Sequence, residues 1–390
     1  MWLVGLLTGF ARWADMVVVG IFVFDATASP GAVAFVTFLR FLPMIGGALS
    51  GTLAARLPLV QVLRLGVGAI AVIYALLAAL AAAGLLAVWH VGLGAFLVGT
   101  YWSTEMAVRR TLLGEIAGTG RISTAMGIDW GTINAARLVG PFAGGALYAT
   151  YGIGAWFATC ALVFLAGTAA SGGLRSAEPA PGLASAKRGR QLLAAMVDDM
   201  LAACRDRLVQ GVMAVTVSMN FFGFCYASMV PVIGKETLGA APAEVGLLSS
   251  TEGIGALVAA GAVAGVVRPD WFGRLFLLGS LGTMLGALGF AQSGSYAWSL
   301  LLLACAGAGA GMFATMQSTV ILTSVPAERR SRTMGLLTTA IGLGQTGVLM
   351  LGALAGWLGA PLAVTVSETI GIALLLLCAL VWPAMWRGNR

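Results

Sequence analysis

Long apolar runs, broken at intervals by glycine, proline or charged residues, make up most of this 390-residue chain. Twelve of these runs approach or exceed the ~20 residues that a helix needs to cross a membrane. Helices are expected, because such runs satisfy their backbone hydrogen bonds internally in lipid and the alternating pattern of a membrane barrel is absent. The predicted spans are 1–24, 31–54, 62–86, 91–113, 122–148, 153–172, 208–232, 244–267, 273–292, 297–324, 333–357 and 361–386.

The first apolar run differs from a secretory signal peptide. It has no basic region at its start, it carries Arg12 and Asp15 in its middle, and it is longer than a signal core. We therefore expect it to be retained as the first span.

Basic residues concentrate on one side of the predicted spans. Eighteen of the 22 lysines and arginines lie in even-numbered loops, in the long central loop or at the C-terminus, whereas Lys235 lies on the opposite side. By the positive-inside rule both termini are cytoplasmic, as in a multi-pass protein of a bacterial-type inner membrane. The net charge of +7 is then mostly an orientation signal, and no extended basic surface suggests a nucleic-acid partner.

The composition argues against a soluble enzyme. Only 9% of the residues are charged and 59% are apolar, whereas a soluble domain has ~25% charged residues. Twelve spans leave no room for a catalytic domain, and GxxxxGK[ST], HExxH and a nucleophile elbow are absent. Five scattered cysteines and a single histidine, His90, suggest neither a disulfide framework nor a metal site, and no cofactor is predicted.

The two halves of the chain match each other when the sequence is shifted by 208 residues. Gly47-Ala48-Leu49 then aligns with Gly255-Ala256-Leu257, Arg121 with Arg329, and Gly144 with Gly352. This match indicates a parallel repeat of six spans, with the second copy related to the first along the membrane normal.

A polar stretch separates the two sets of six spans. The predicted domains are an N-terminal bundle at 1–172, a cytoplasmic linker at 173–207 and a C-terminal bundle at 208–390. Within and just after the linker, 191–208 combines helical periodicity with mixed charge, which predicts an amphipathic helix on the inner face.

A family resemblance becomes specific between spans four and five. Residues 107–115 read AVRRTLLGE, residues 121–126 read RISTAM, and residues 134–145 read NAARLVGPFAGG. This segment resembles the macrolide-efflux and enterobactin-exporter branch of the major facilitator superfamily, whose pattern is close to PARxxLLPE followed by NxxRxxGPxxGG. The resemblance implies an all-α membrane protein with twelve transmembrane helices in two pseudo-symmetric six-helix bundles, which works by alternating access with a site near the bilayer midplane.

Two positions depart from the superfamily pattern. The loop between spans two and three reads GTLAARLP, with Ala55 where the superfamily usually has an acidic residue. Span four lacks the central arginine of many proton antiporters and carries Tyr101, Trp102 and Glu105 in that stretch. Proton coupling therefore does not follow from motifs alone.

Charged residues inside spans are candidates for function, because each costs ~2.5–3.5 kcal/mol on insertion scales. The embedded charges are Arg12, Asp15, Arg40, Glu105, Asp129, Arg137, Glu252 and Glu368. Arg12 and Asp15 share a helix face three residues apart and are expected to neutralise one another. Either this pair only fixes helix packing, or Arg12 meets a substrate anion and Asp15 carries a proton. Asp15 is the first candidate for coupling, because the charge state of a carboxyl group responds both to burial and to a nearby arginine.

Other embedded charges suggest gates. Glu105 and Arg109, four residues apart, are expected to pair near the inner end of span four. Arg40 and Glu252 belong to opposite halves and either meet as a gate or act separately as snorkelling side chains. The GPxxGG string is typical of an antiporter motif, in which proline and glycines give a bendable helix contact. The predicted gating residues are Glu105, Arg109, Gly140, Pro141, Gly144 and Gly145.

Asp129 and Arg137 lie about two turns apart on roughly one side of span five. Glu368 on span twelve is expected to pack between helices or to lie at the lipid interface. The predicted substrate or coupling residues are Arg12, Asp15, Arg40, Asp129, Asn134, Arg137, Asn220, Glu252, Gln317 and Gln345. The predicted cavity aromatics are Tyr101, Trp102, Phe221, Phe224 and Tyr226.

Polar groups combined with aromatic side chains suit a bulky amphipathic organic solute better than a small ion. The predicted function is therefore a secondary transporter that exports such a solute, drug-like or siderophore-like, against proton entry, as a monomer in the lipid bilayer. Alternatives of the same fold are a lipid or lysolipid flippase and an uptake carrier. An alternative from another class is a membrane sensor or assembly partner that does not transport, and a metal-ion carrier is the weakest alternative.

Overall fold

The computed structural model describes residues 2–45, 58–117, 122–173, 206–264, 269–324, 333, 337, 340–342 and 344–387. Its first part forms five long helices. These are α1 Trp2–Thr27, α2 Pro30–Ile45, α3 Leu59–Ala82, α4 Val88–Ala117 and α5 Ile122–Ala170, which a 3₁₀ turn at Ser171–Gly173 follows.

The second part begins with an irregular helix. Four consecutive pieces form it: α6 Arg207–Ser218, a π-helical turn Met219–Gly223, a 3₁₀ turn Cys225–Met229, and α7 Val230–Glu236. The remaining elements are α8 Pro242–Ala264, a 3₁₀ turn Pro269–Trp271, α9 Phe272–Gln292, α10 Tyr296–Ser324, α11 Gly347–Leu358, α12 Ala360–Val381 and α13 Ala384–Arg387.

Helix α5 contains two of the predicted spans. Its backbone breaks at Gly152, where φ is 75°, a conformation that glycine adopts without the penalty of a Cβ atom. The break falls between the predicted bounds 122–148 and 153–172, so the sequence located both spans and the turn between them.

Within the described residues, nine helices are long and apolar enough to cross a membrane, and the apolar stretch Pro30–Met44 is shorter. This number is lower than the twelve predicted spans for local reasons. Helix α5 counts once although it holds two spans, the description of α2 stops at Ile45, and α4 carries several charges. The all-helical fold of a multi-pass membrane protein agrees with the sequence prediction.

The chain divides into two units. Among the described residues, unit one comprises α1, α2 from Phe35 onwards, α3, α4, α5 and the segment Ala241–Ser250 at the start of α8. Within it, α1 and α3 both pack on α5, and α3 also packs on α4. Buried aromatic rings of α3 and α5 fill the space between these helices, with Tyr74 stacked on Phe164 at a centroid distance of 5.6 Å.

Unit two contains Ser29–Ala34, the irregular helix, and the described residues from Thr251 onwards. Helix α9 packs on α10 and α12, and α12 also packs on α11 and α6. The apolar core of this unit includes Met219, Phe276, Met284, Phe313 and Leu375. Large side chains from four elements therefore meet around α9.

Glycines set the closest helix contacts at equivalent positions of the two repeats. In unit one, a Cβ atom on Gly99 of α4 would collide with the backbone carbonyl of Arg40 on α2. In unit two, a Cβ atom on Gly307 of α10 would collide with the backbone carbonyl of Glu252 on α8. Gly99 and Gly307 are 208 residues apart, so the repeat found in the sequence extends to helix packing, where small residues let backbones approach.

Several predictions fall outside the described residues. The linker helix at 191–208 is described only from Asp206, whose carboxylate caps α6 by accepting from the amides of Leu208 and Val209. The loop with Ala55 and the repeat positions 47–49, 121 and 329 also lie outside.

Candidate functional site

Charged side chains of unit one meet in its interior. Helices α1, α2, α4 and α5 each contribute at least one of them, and together they form what we term the charge cluster. Its members are Arg12, Asp15, Arg40, Glu105, Arg109 and Asp129. All are buried except Arg12, whose side chain is 14% exposed.

Asp15 of α1 is held from two sides. Its Oδ2 atom lies 2.5 Å from Nη2 of Arg40 on α2, and its Oδ1 atom accepts a hydrogen bond of 2.8 Å from the indole nitrogen of Trp156 on α5. The residue is 0% exposed. A charged hydrogen-bonded pair with a further donor is the arrangement that makes burial of a carboxylate tolerable.

The other four members form a chain of ion pairs. Nη2 of Arg12 lies 2.5 Å from Oε2 of Glu105, and Nε of Arg109 lies 2.8 Å from Oε1 of Glu105. Arg109 also binds Asp129 of α5 through Nη1. Glu105 therefore shares its charge between two arginines, and Arg109 shares its charge between two carboxylates.

Trp102 of α4 joins the two parts of the cluster. The guanidinium carbon of Arg12 lies 4.5 Å from the centroid of the indole ring, and that of Arg40 lies 5.3 Å from it. Both distances are within the range of cation–π attraction. The Asp15–Arg40 pair and the chain that begins at Arg12 therefore meet at one aromatic side chain.

The charge cluster is balanced, with three guanidinium groups and three carboxylates. Removing one partner from a buried ion pair costs about 3–5 kcal/mol, because the other charge stays behind without compensation. A change in the charge of any member therefore leaves the charge of its partner partly or wholly uncompensated. Within the described part of the chain, no three histidine, cysteine, aspartate or glutamate residues are grouped to hold a metal ion.

The structure corrects one predicted partnership. Arg12 and Asp15 do not pair with one another: Arg12 binds Glu105 and Asp15 binds Arg40. Arg40, for which a gate contact with Glu252 and a separate snorkelling side chain were the two alternatives, is the buried partner of Asp15. The predicted Glu105–Arg109 pair is present, as expected for residues four apart on one helix.

Asp129 and Arg137 of α5 have different surroundings. Asp129 binds Arg109, whereas the guanidinium carbon of Arg137 lies 5.0 Å from the centroid of the Trp13 ring on α1. Arg137 and the neighbouring Asn134 are both partly exposed. These two side chains are therefore more exposed than the buried members of the charge cluster.

In unit two, two of the predicted polar residues contact Thr216 of α6. The side-chain amide of Asn220 donates to its backbone carbonyl at 2.9 Å, and that of Gln317 donates to its hydroxyl group at 2.9 Å. Glu252 of α8 is buried, and Gln345 lies in a turn before α11 and is partly exposed.

The five predicted cavity aromatics have different surroundings in the structure. Trp102 belongs to the charge cluster, and the ring of Tyr101 fills the space beside Gly66 of α3. In unit two, Phe221 stacks edge-on with Phe222, Phe224 stacks edge-on with Phe313 of the core, and Tyr226 is fully buried. Phe224 and Tyr226 therefore act in packing.

The predicted gate motif is a close-packing surface of unit one. Cβ atoms on Gly140 and Gly144 would crowd the backbone or side chains of α1 around Ala14. A Cβ atom on Gly145 would collide with the carbonyl of Pro242, and one on Gly246 of α8 would collide with that of Pro141. The amide of Phe142 donates to the hydroxyl group of Ser250 at 3.1 Å. The string GPxxGG thus seats α5 against both α1 and the start of α8.

Trp156 is the site residue that the sequence did not single out. A buried indole nitrogen needs an acceptor, but the sequence does not show which acceptor lies opposite. Glu368 of α12 is 0% exposed, so of the two expected positions the packed one applies and the lipid interface does not.

Replacing Trp156 by phenylalanine tests the second contact of Asp15. The variant keeps an aromatic ring but removes the donor to a buried carboxylate, which is worth about 1.5–3 kcal/mol for a charged acceptor. We expect a lower thermal unfolding midpoint than for Trp89→Phe, since Trp89 is 66% exposed. Equal midpoints for the two variants would show that the hydrogen bond to Asp15 contributes little.

Comparison with known proteins agrees with the fold. The family model described as "Major Facilitator Superfamily" matches residues 1–348. No curated protein matches the sequence.

Solved transporter structures superpose on nearly the whole chain. A bacterial homolog of the human lysosomal transporter Spinster has a TM-score of 0.74 at 13% identity, covering 100% of this chain and 97% of that one. The nucleoside transporter NupG has a TM-score of 0.77 at 11% identity, covering 100% and 98%. The peptide transporter POT, solved with sulfate, has a TM-score of 0.70 at 14% identity, covering 98% and 94%. At identities this low, the superpositions establish the fold alone. The match of the family model over residues 1–348 shows that this chain belongs to the major facilitator superfamily of membrane transporters.

Proposed function

We propose that this transporter exports an amphipathic organic solute, driven by protons that move inward, and that the charge cluster of unit one couples the two movements. We place it in a bacterial-type inner membrane with both termini in the cytoplasm, from the distribution of basic residues. The branch of macrolide and enterobactin exporters, which the segment 107–145 resembles, supports an exporter of this kind. The buried, balanced charge cluster is the observation that carries the proposal.

Proton coupling follows from the way in which the cluster is paired. A proton on Asp15 would remove the negative charge that compensates Arg40, and a proton on Asp129 would remove half of the compensation of Arg109. In a medium of low polarity an uncompensated guanidinium group is costly, so protonation favours a conformation in which the arginine finds another partner or water. That dependence of conformation on protonation is what a proton-driven cycle requires.

Solute binding is proposed at the same residues. Among the described residues, Nε of Arg12 and Nη1 of Arg40 are buried without a hydrogen-bond partner, and both guanidinium groups face the ring of Trp102. Spare donors beside an aromatic face suit a solute that has both an apolar body and acceptor oxygens. Arg137 and Asn134, which are partly exposed, would orient the polar part of the solute.

A thermal-shift screen of the purified protein identifies the solute class. A ligand that binds only the folded state stabilises it by about 2.7 kcal/mol at 100 times its Kd. The panel contains a macrolide, a catecholate siderophore, a lysophospholipid, a nucleoside and a dipeptide. A shift with the macrolide or siderophore supports the proposal, a shift with the lysophospholipid alone favours a flippase, and a shift with the nucleoside or dipeptide alone favours an uptake carrier.

Transport in proteoliposomes tests the coupling. With the solute found in the screen, an imposed proton gradient is expected to drive flux in the wild type, and Asp15→Asn is expected to abolish this flux while leaving solute-induced stabilisation in place. The matched control is Asp25→Asn, the same change at an exposed residue of α1. Gradient-driven flux that persists in Asp15→Asn removes Asp15 from the coupling role, and the same experiment on Asp129→Asn then tests the second carboxylate.

A further inference from the structure

Unit two also contains a buried carboxyl group, which is not a member of the charge cluster. Glu368 of α12 is 0% exposed. Neither of its oxygen atoms has a hydrogen-bond partner among the described residues, and it takes part in none of the ion pairs found there. This distinguishes it from Asp15, which is equally buried but has two donors.

The position of Glu368 in the helix places it in the packed interior. The buried residues of α12 recur every three or four positions through Val364, Glu368, Gly371 and Leu375. A Cβ atom on Gly371, less than one turn away, would crowd Phe222 of the irregular helix and Met284 of α9. Glu368 therefore lies on the stripe of α12 that faces protein.

The neighbouring backbone is irregular. Ser367 lies 3.5 Å from the carbonyl oxygen of Phe222 and 3.6 Å from the sulfur atom of Cys225, so this part of α12 contacts the junction between the π-helical and 3₁₀ turns. A π-helical turn interrupts the regular hydrogen bonds of an α-helix, and such turns are frequent at functional sites. The carboxyl group thus lies one residue from the contact between α12 and this irregular backbone.

Among the residues that the structure describes, the charged and titratable groups around Glu368 provide no counter-charge. Cys225, whose thiol interacts electrostatically with Glu368, and Tyr226 come from the 3₁₀ turn. The other elements packed on α12 carry charge only at their ends, namely Arg207 on α6, Arg274 on α9, and Lys235 and Glu236 on α7. Arg274 donates to the carbonyl of Trp386 beyond the end of α12.

The sequence repeat explains why Glu368 lacks the two hydrogen-bond donors that Asp15 has. A shift of 208 residues aligns Glu368 with Cys160 of α5, which lies close enough to interact electrostatically with both Asp15 and Arg40. The same shift aligns Arg40 with Leu248 and Trp156 with Val364. The second repeat therefore has a buried carboxyl group between its first and last helices, as the first repeat has in Asp15, but both donors to Asp15 align with aliphatic residues.

A carboxylate buried without a partner is far less stable than the neutral acid. We propose that Glu368 is a proton-binding site of unit two, which holds a proton in this conformation and releases it when the irregular segment 219–229 rearranges. Release breaks the O–H bond of the carboxyl group and passes the proton to water that reaches the new carboxylate. A role for this proton in driving transport rests on the proposed function, whereas the binding of the proton does not.

Infrared spectroscopy of the purified full-length protein tests proton binding directly. A protonated carboxyl group gives a carbonyl stretching band that a carboxylate lacks. We expect such a band at neutral pH in the wild type, its loss in Glu368→Gln, and its retention in Glu236→Gln, the same change at an exposed residue. Superimposable wild-type and Glu368→Gln spectra would overturn the proposal.

Hydrogen exchange tests the link to the irregular segment. Exchange of peptides covering 219–229 is compared between the wild type and Glu368→Gln at each pH. We expect the two rates to agree while the infrared band is present and the wild-type rate to rise above that of the variant once the band disappears. A ratio that stays at one throughout would show that the proton does not control this segment. If Glu368→Gln does not fold, Glu368→Asp replaces it, and an unshifted infrared band in that variant would contradict the assignment.

Transport measurements separate this proposal from the proposed function. If Glu368 contributes to coupling, Glu368→Gln loses gradient-driven flux but keeps solute exchange between equal concentrations. If the wild type moves none of the tested solutes, the proposed function fails while the infrared result still decides whether Glu368 binds a proton.

Discussion

Asp15→Asn is expected to destabilise the protein by about 3–5 kcal/mol, the cost of leaving one member of a buried ion pair without its partner. Asparagine can still accept from Trp156, but its amide group would then present a donor to the guanidinium group of Arg40, which is 3% exposed. Arg40 would keep its full charge and lose its only ion pair in the described structure. The measurement is the thermal unfolding midpoint in detergent, taken together with the urea dependence of unfolding.

A double variant separates charge compensation from other effects of the change. Adding Arg40→Met to Asp15→Asn removes the uncompensated charge, and replacing buried ion pairs by apolar groups is often neutral in stability. We expect the double variant to recover at least half of the loss. Asp25→Asn on the same helix, where the exposed carboxylate accepts from Tyr148, is expected to change stability by less than about 1 kcal/mol. If Asp15→Asn and Asp25→Asn unfold at the same temperature, Asp15 does not compensate Arg40.

Gly307→Val is expected to cost about 3 kcal/mol or more, at the upper end of overpacking effects. The added side chain would have to occupy the position of the Glu252 backbone on α8, where a Cβ atom would already collide with the carbonyl oxygen. Backbone cannot rotate away as a flexible side chain can, so α8 and α10 must separate. Gly99→Val in unit one should have a comparable effect, since its Cβ atom would meet the carbonyl of Arg40.

The matched control for this variant is Gly261→Val. Gly261 is an exposed helical glycine with no atom within 4 Å of an added Cβ, and valine and glycine differ by less than about 1 kcal/mol in helix propensity. Thermal midpoints and the yield of monodisperse protein are compared for the three variants. A Gly307→Val protein as stable as Gly261→Val would show that α8 and α10 do not need their close approach.

Local patterns in the sequence were sufficient to predict the helices. The lengths of the apolar runs predicted the spans. A turn was predicted between residues 148 and 153, and the structure has it at Gly152. Such a break was predictable because it depends only on residues that are neighbours in the chain. The Glu105–Arg109 pair was also predictable, since residues four apart on a helix are neighbours whatever the fold. The equivalent glycines Gly99 and Gly307 extend the repeat that the shift of 208 residues had indicated.

Partners on different helices were decided only by the tertiary structure. Arg12 and Asp15 were expected to pair because they lie on one helix face, yet each binds a residue of another helix, Glu105 and Arg40 respectively. The pairing depends on how α1, α2 and α4 are rotated about their axes and how closely they approach, which the sequence of one helix does not specify. The same holds for the indole of Trp156, which donates to Asp15 across 141 positions of the chain.

The sequence by itself thus determined that this protein is a helical membrane protein of two repeated halves, with charges inside its spans. Only the tertiary structure decided that five of these charges and Arg109 compensate one another in unit one, while Glu368 in unit two stays buried without a hydrogen-bond partner among the described residues. The physical reason is one of range. Hydrophobic length and helical periodicity act between neighbours in the chain, whereas the compensation of a buried charge depends on which side chain another helix places within about 3 Å of it.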